Sequence, residues 1–224
     1  VLLVDVGGAP RGVDQGVDVI VGPDISSAAI RIANEVTVLA GALIISPSAT
    51  SAEITGLDDN GLVWRTSASD DIKGVIAARY FRQNGAERAG IIHIDNTFGR
   101  GLAQRFTSEF ERLGGTVVNS EPYPELTGEQ IDTYDFREHV DDVMAQEPDL
   151  IYMITLNQDG IKIAIAADQR VSDTYRPQFA SELPPSEELL PVIGIFEGLV
   201  GFEPLTIETE SSRVFDEAYR TAFG

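Results

Sequence analysis

The chain has no cysteine among its 224 residues. Disulfides, thiolate nucleophiles and cysteine-ligated zinc are thereby excluded. Compartment stays open, because a missing cysteine fits cytosol and periplasm alike. Histidine is nearly absent. The two present, His93 and His139, are far apart in sequence and fall in different expected elements, which argues against a histidine metal site or a Ser-His-Asp triad. Basic residues are scarce: 16 Lys and Arg stand against 36 Asp and Glu, a formal net charge of −20. Such a chain stays soluble and repels nucleic acid and anionic lipid. Its acids are scattered rather than set at ligand spacing, so they read as a solvated surface and not a cation site. No apolar run approaches the ~20 residues of a membrane helix. Residues 36–45, among the longest such runs, read as a helix end running into a buried strand. Catalytic signatures are missing too: nucleophile elbow, Walker loop, dinucleotide fingerprint and His-Glu-x-x-His. Carboxylates are plentiful, yet nothing singles out a glycosidase-type pair. Neither a metal nor a cofactor is expected, and basic and aromatic residues form no nucleic-acid-like patch.

What is present reads as an ordinary globular chain, 43% hydrophobic and 23% charged. Strand and helix patterns alternate almost throughout. Residues 17–21 form a β-branched run ended by Gly22-Pro23. A helix follows, capped by Asp24 or Ser26, with Ala29, Ile32, Ala33, Val36 and Leu39 at the 3.6-residue period and Gly41 as its stop. Leu43-Ile44-Ile45 is a buried strand. Asp70 or Asp71 starts a helix carrying Ile72, Val75, Ile76 and Tyr80 inward, ended by Gly85. Residues 89–94 are a strand, and a helix from about Gly101 presents Leu102, Phe106, Phe110 and Leu113 before Gly114-Gly115. Val117-Val118 is a strand, and residues 121–133 read as a surface loop. Phe136, Val140, Val143 and Met144 mark another helix face; residues 150–154 are a strand, followed by a helix with Ile161, Ala164 and Ile165. Gln178-Phe179-Ala180 is a short strand. A last helix carries Val214, Ala218 and Ala222, with Ser211 or Ser212 as its cap. The alternation predicts an α/β fold with parallel sheets and helices on both faces. Ligands of such sheets bind outside the carboxyl ends of the strands.

Three strand-end loops offer polar groups there. Gly22-Pro23-Asp24-Ile25-Ser26-Ser27 puts hydroxyls at a helix start, which suits an anion, or plain capping. Ser46-Pro47-Ser48-Ala49-Thr50 offers hydroxyls and backbone groups, or simply closes a βα unit. In Asp95-Asn96-Thr97-Phe98-Gly99, Asp95 is a ligand or a cap, and Phe98 stacks on a ligand or packs under the loop.

Taken in order, these stretches resemble the leucine/isoleucine/valine-binding-protein branch of the type 1 periplasmic binding proteins. The resemblance is carried by Val19-Ile20-Val21-Gly22-Pro23-Asp24-Ile25-Ser26-Ser27-Ala28, Ile45-Ser46-Pro47-Ser48-Ala49-Thr50-Ser51, Trp64-Arg65-Thr66-Ser67-Ala68-Ser69-Asp70, and Ile94-Asp95-Asn96-Thr97-Phe98-Gly99-Arg100-Gly101-Leu102-Ala103. It implies two Rossmann-like lobes with parallel sheets: lobe one over residues 1–67, lobe two over 68–201, and a return segment to lobe one over 202–224. The family normally has another strand and helix before this start and more chain after this end, so lobe one is expected to be incomplete. The strand-like start without a signal peptide suggests a fragment or processed form.

The resemblance also implies roles. Ser26 and Thr50 would hold a ligand α-carboxylate, the Ser48 carbonyl and the Thr50 hydroxyl would take an ammonium, and Glu182 would pair with that ammonium. Ala49, between Ser48 and Thr50, and Phe98, where the family often has a tyrosine, complete the expected ligand-binding set. Thr155-Leu156-Asn157-Gln158-Asp159 stands where branched-chain binders are more aromatic, which leaves side-chain specificity open. The implied function is an extracytoplasmic solute-binding protein, periplasmic or extracellular and lipid-anchored in its full-length form, closing two lobes on an amino acid or similar polar solute. It would deliver that solute to the permease of an ABC-type importer. The alternative keeps the fold and makes it the ligand-sensing domain of a receptor or regulator. Neither is an enzyme.

Overall fold

The computed structural model describes residues 2–3, 8–182, 198–202 and 208–223. Two sheets form, each wholly parallel. The first joins β1 (Leu2–Leu3), β2 (Val19–Val21), β3 (Leu43–Ser46) and β4 (Val63–Arg65) in that order. The second contains β5 (Arg88–Ile94), β6 (Thr116–Tyr123), β7 (Leu150–Ile154), β8 (Gln178–Ser181) and β9 (Val200–Gly201), in the order β6-β5-β7-β8-β9. The parallel α/β architecture is the one the alternating pattern predicts.

Around the first sheet lie α1 (Gly8–Asp14), α2 (Ser26–Ile32), a π-helical turn over Ala33–Thr37, and α3 (Val38–Ala40). Gly41 ends this run at φ 70°, a left-handed conformation that glycine adopts without a Cβ penalty. The core here is small: Ala9, Ile20, Ile32 and Ile44, with Ala29, Ala49 and Ile54 beside them. The helices of the second half are α4 (Asp70–Gln83), α5 (Thr97–Arg112), α6 (Gly128–Thr133), α7 (Arg137–Met144) and α8 (Asn157–Asp168). Successive strand residues point to opposite faces. Ile91 and Tyr152 therefore meet Phe81, Leu102, Phe106 and Phe110 on one face, while Ile92 and Met153 meet Phe136, Val140, Val143 and Ile163 on the other.

Several local expectations are corrected. In α4, Ile72, Ile76 and Tyr80 are exposed, and Gly74, Ala77, Ala78 and Phe81 are buried. The reason is size. A Cβ on Gly74 would lie 3.0 Å from both the Arg105 Cβ and the Phe106 backbone nitrogen, so the small face is the one that lets α5 approach. Helix α5 starts four residues before Gly101, with Asn96 as its cap: the Asn96 side chain accepts the Gly99 N–H at 3.0 Å. Residues 121–133 are not one loop. Strand β6 runs on to Tyr123, and α6 begins at Gly128 with a Thr127/Gln130 capping box. In α8, Ile163, Ala164 and Ala167 are buried and Ile165 is exposed. The last helix, α9 (Glu210–Phe223), is capped two residues before Ser211, the Thr209 hydroxyl accepting the Ser212 N–H at 3.0 Å. None of its residues is buried, Val214 included.

Candidate functional site

Loops at the carboxyl ends of strands from both sheets face one cleft of 680 Å³. From the first sheet come the turn after β2 and the turn after β3. They are tied to each other by a buried hydroxyl. Ser46 Oγ donates to the Pro23 carbonyl at 2.6 Å and accepts the Ala49 N–H at 3.0 Å. Ser48 Oγ donates to the Asp24 carbonyl at 3.0 Å, adding a second tie. Ser26 does not cap α2; the cap position is Ile25, and no side chain bonds there. Its Oγ instead accepts the Ser51 N–H at 3.2 Å, which leaves its own proton to donate. Ser26, Ser48 and Thr50 all line the cleft. Ala49 is not among the lining residues: it is buried, its N–H is spent on Ser46, and its carbonyl accepts the Ser67 hydroxyl at 3.2 Å.

The second sheet and its helices supply the buried charges. Lys73, in α4, reaches Glu182 at the end of β8 with Nζ 2.7 Å from Oε2. Tyr152, on the neighbouring β7, donates its hydroxyl to Glu182 Oε1. Asp70, one turn before Lys73, is buried with its carboxylate 3.7 Å from Nζ. Burial raises the Asp70 pKa, opposed by Lys73 and the Thr50 hydroxyl. Burial disfavours the Lys73 ammonium, but Glu182 and Asp70 outweigh it and raise its pKa, keeping it charged. Burial, then the Glu182 charge, drives the Tyr152 phenol well above its usual range, so it stays a donor.

Farther along the same wall, Asp159 at the start of α8 is buried and accepts the Tyr123 hydroxyl; burial raises its pKa. Thr155 lines the cleft, and its buried hydroxyl has no hydrogen-bond partner among the described residues. Phe98, Ile131 and Leu156 give the cleft apolar surface. Gly99 is required behind Phe98, because a Cβ there would sit 2.0 Å from the Ile94 carbonyl. The two halves touch at the rim. Ser51 Oγ donates to the Thr97 carbonyl at 3.3 Å, and Glu125 accepts from Ser27 at 3.4 Å and from Asn96 at 3.1 Å.

Of the residues singled out from sequence, Ser26, Ser48, Thr50, Phe98 and Glu182 face this cleft together. Asp95 does not; it is exposed and paired with Arg100 at 2.6 Å. His93 is buried in β5, where desolvation lowers its pKa, and His139 in α7 lies 3.1 Å from Glu121. Lys73, Asn96 and Asp159 were missed as functional side chains. Only the Asp70/Lys73 spacing on one helix face hinted at Lys73. Glu182 is 109 positions away from it, and only the fold brings them together. Among the described residues, no group of three His, Cys, Asp or Glu is placed to hold a metal ion, and no helix is long and apolar enough to cross a membrane.

Residues 7–223 match the family model described as periplasmic binding protein. An amino acid binding protein of Pseudomonas aeruginosa is 32% identical over 155 residues, covering 68% of this chain and 39% of its own length. A leucine binding protein from Thermotoga maritima matches in structure with a TM-score of 0.73 at 20% identity, over 98% of this chain and 61% of its own. A solute binding protein from R. palustris, solved in complex with 4-hydroxybenzoate, matches with a TM-score of 0.72 at 18% identity, over 98% of this chain and 58% of its own. The chain thus spans less than two thirds of the length of each of these proteins.

Proposed function

The chain belongs to the periplasmic binding protein family, and from that premise we propose that it closes two lobes on a small organic acid of amino-acid size, outside the cytoplasm, as the solute-binding component of an ABC-type importer. One observation carries this reading. Hydroxyls from one sheet and a charged, partly apolar wall from the other converge on a cleft of the volume such solutes need. In this reading Ser26 and Thr50 hold the carboxylate, Ser48 orders their loop, and Phe98 packs on the body of the solute. The pair of Lys73 and Glu182 fixes the end nearest the second sheet. A charge-assisted hydrogen bond to a carboxylate contributes about 1.5–3 kcal/mol, so loss of one is measurable.

Thermal unfolding against a panel of amino acids and small carboxylic acids tests the reading. A solute that binds only the folded state raises Tm with its concentration over Kd. The expected result is a shift from one chemical class, lost in Thr50→Ala. No shift from any member overturns the proposal.

A further inference from the structure

We infer that the solute of this cleft carries a carboxylate but no ammonium group: an oxo, hydroxy or aromatic acid rather than an α-amino acid. The inference rests on the reading of the cleft as a solute site, and it departs from the pairing of Glu182 with a ligand ammonium that the sequence suggested.

A count of donors and acceptors leads to it. A ligand ammonium needs acceptors with unspent capacity. Among the described residues, three acids line the cleft: Asp24, Asp159 and Glu182. The Glu182 side chain is 2% exposed, with Oε2 held by Lys73 at 2.7 Å and Oε1 by the Tyr152 hydroxyl. Asp159 is also 2% exposed, with Oδ2 held by the Tyr123 hydroxyl and Oδ1 accepting the Gly160 N–H at 3.2 Å. Asp24 is exposed, where water screens its charge. Asp70, whose two carboxylate oxygens have no hydrogen-bond partner among the described residues, is buried, does not line the cleft and already faces Lys73 Nζ at 3.7 Å. The chain's own ammonium, on Lys73, thus already neutralises the Glu182 carboxylate with which a ligand ammonium would pair. A second cation brought to Glu182 would meet Lys73 at the same carboxylate, and like charges at such range repel strongly in a partly desolvated site.

Donors show the opposite balance. The Ser26 hydroxyl is already an acceptor and keeps its proton to give. The Thr155 hydroxyl has no partner among the described residues, although it is buried in the wall of the cleft. Lys73 has three N–H groups. One is on Glu182, and among the described residues Asp70 at 3.7 Å is the only other acid paired with it. A solute rich in acceptors fits this arrangement: a carboxylate toward Ser26 and Thr50, and an oxo, hydroxyl or ring substituent toward Lys73 and Thr155.

Matched pairs test this without any variant. Isothermal titration of the chain would compare leucine with 4-methyl-2-oxopentanoate and phenylalanine with phenylpyruvate, and add 4-hydroxybenzoate as an acid with neither group. The expected result is at least tenfold tighter binding of one or more of the amine-free acids than of either amino acid. Amino acids binding as tightly as or tighter than their oxo partners would overturn the inference while leaving the solute-binding reading intact. Binding by no member of either class would remove that reading and the inference with it. Lys73→Met supplies a second measurement: the preference should shrink or reverse toward the amino acid, since Glu182 regains a free oxygen, and an unchanged preference would count against the role given to Lys73.

Discussion

The two sheets bury different kinds of core. Around the second sheet, both faces are filled by large side chains, with Phe106 stacked on Phe110 at 5.1 Å and tilted against Tyr152 at 4.9 Å. The first sheet has strands of two to four residues and a core of a few Ala and Ile. Its share of the cleft is held instead by polar ties between loops, with Ser46 at the centre. The charged half of the site thus sits on a rigid support, and the hydroxyl half depends on hydrogen bonds that single substitutions can remove. Buried polar networks of this sort carry a large penalty once a member is lost.

Truncation of the larger core tests this contrast most strongly. Phe106→Ala is expected to destabilise the chain by about 3–5 kcal/mol, and Ile32→Ala beside the first sheet by about 2 kcal/mol, the lower end for such changes. Both are essentially buried, at 0% and 2% exposure, so the gap reflects how much packed neighbourhood each loses. Denaturant midpoints read at constant m-value would measure it. Equal losses would erase the distinction between the two cores.

Ser46→Ala comes next. It orphans the Pro23 carbonyl and the buried Ala49 N–H, for a cost of about 1–3 kcal/mol. Ser46 does not line the cleft, yet solute affinity should fall with stability, because the loops bearing Ser26 and Thr50 lose their common anchor. Titration of the variant would check this. Lower stability with unchanged affinity would mean that the loops hold their places without the tie.

How much of this was legible from sequence differs between the same two halves. The strand–helix alternation and the three polar loops were readable, because period and turn residues are local signals. The loops supplied Ser26, Ser48, Thr50 and Phe98. The charged wall was not readable. Tyr152 lies in a strand buried along its whole length and reads as core, and its hydroxyl meets Glu182 only because β7 pairs with β8. Lys73 lies on a helix whose buried face was chosen by small size, not by hydrophobicity, so its apolar pattern pointed the wrong way. That the Ala49 N–H is spent on Ser46, away from the cleft, was not readable either, because a backbone N–H shows its partner only in three dimensions.

A smaller effect concerns Asp159. Its pKa is raised by burial, so the folded state holds its proton more tightly than the unfolded chain does. The stability this contributes is fully present below the ordinary carboxylate value of 3.8 and is lost as pH rises through the raised folded value. Asp159→Asn cannot titrate, and it can still accept the Tyr123 hydroxyl. Stability of the wild type minus that of the variant should therefore fall as pH rises across that window, a trend that melts at a series of pH values would follow. A flat difference would mean that Asp159 titrates alike in both states.

The smallest effect is expected at α9. Its residues Val214, Phe215, Tyr219 and Phe223 are all more than half exposed, and among the described residues the ring partners of Phe215 and Tyr219 lie within α9 itself, with Phe215 stacked on Tyr219 at 6.1 Å. With no buried surface to lose among the described residues, Phe215→Ala should change stability by no more than about 0.5 kcal/mol. The same chemical change at Phe106 removes a ring enclosed on all sides, so the two substitutions compare one side chain in two surroundings. A loss at Phe215 approaching that at Phe106 would mean that α9 is covered in the folded chain and carries part of the core that the first sheet lacks.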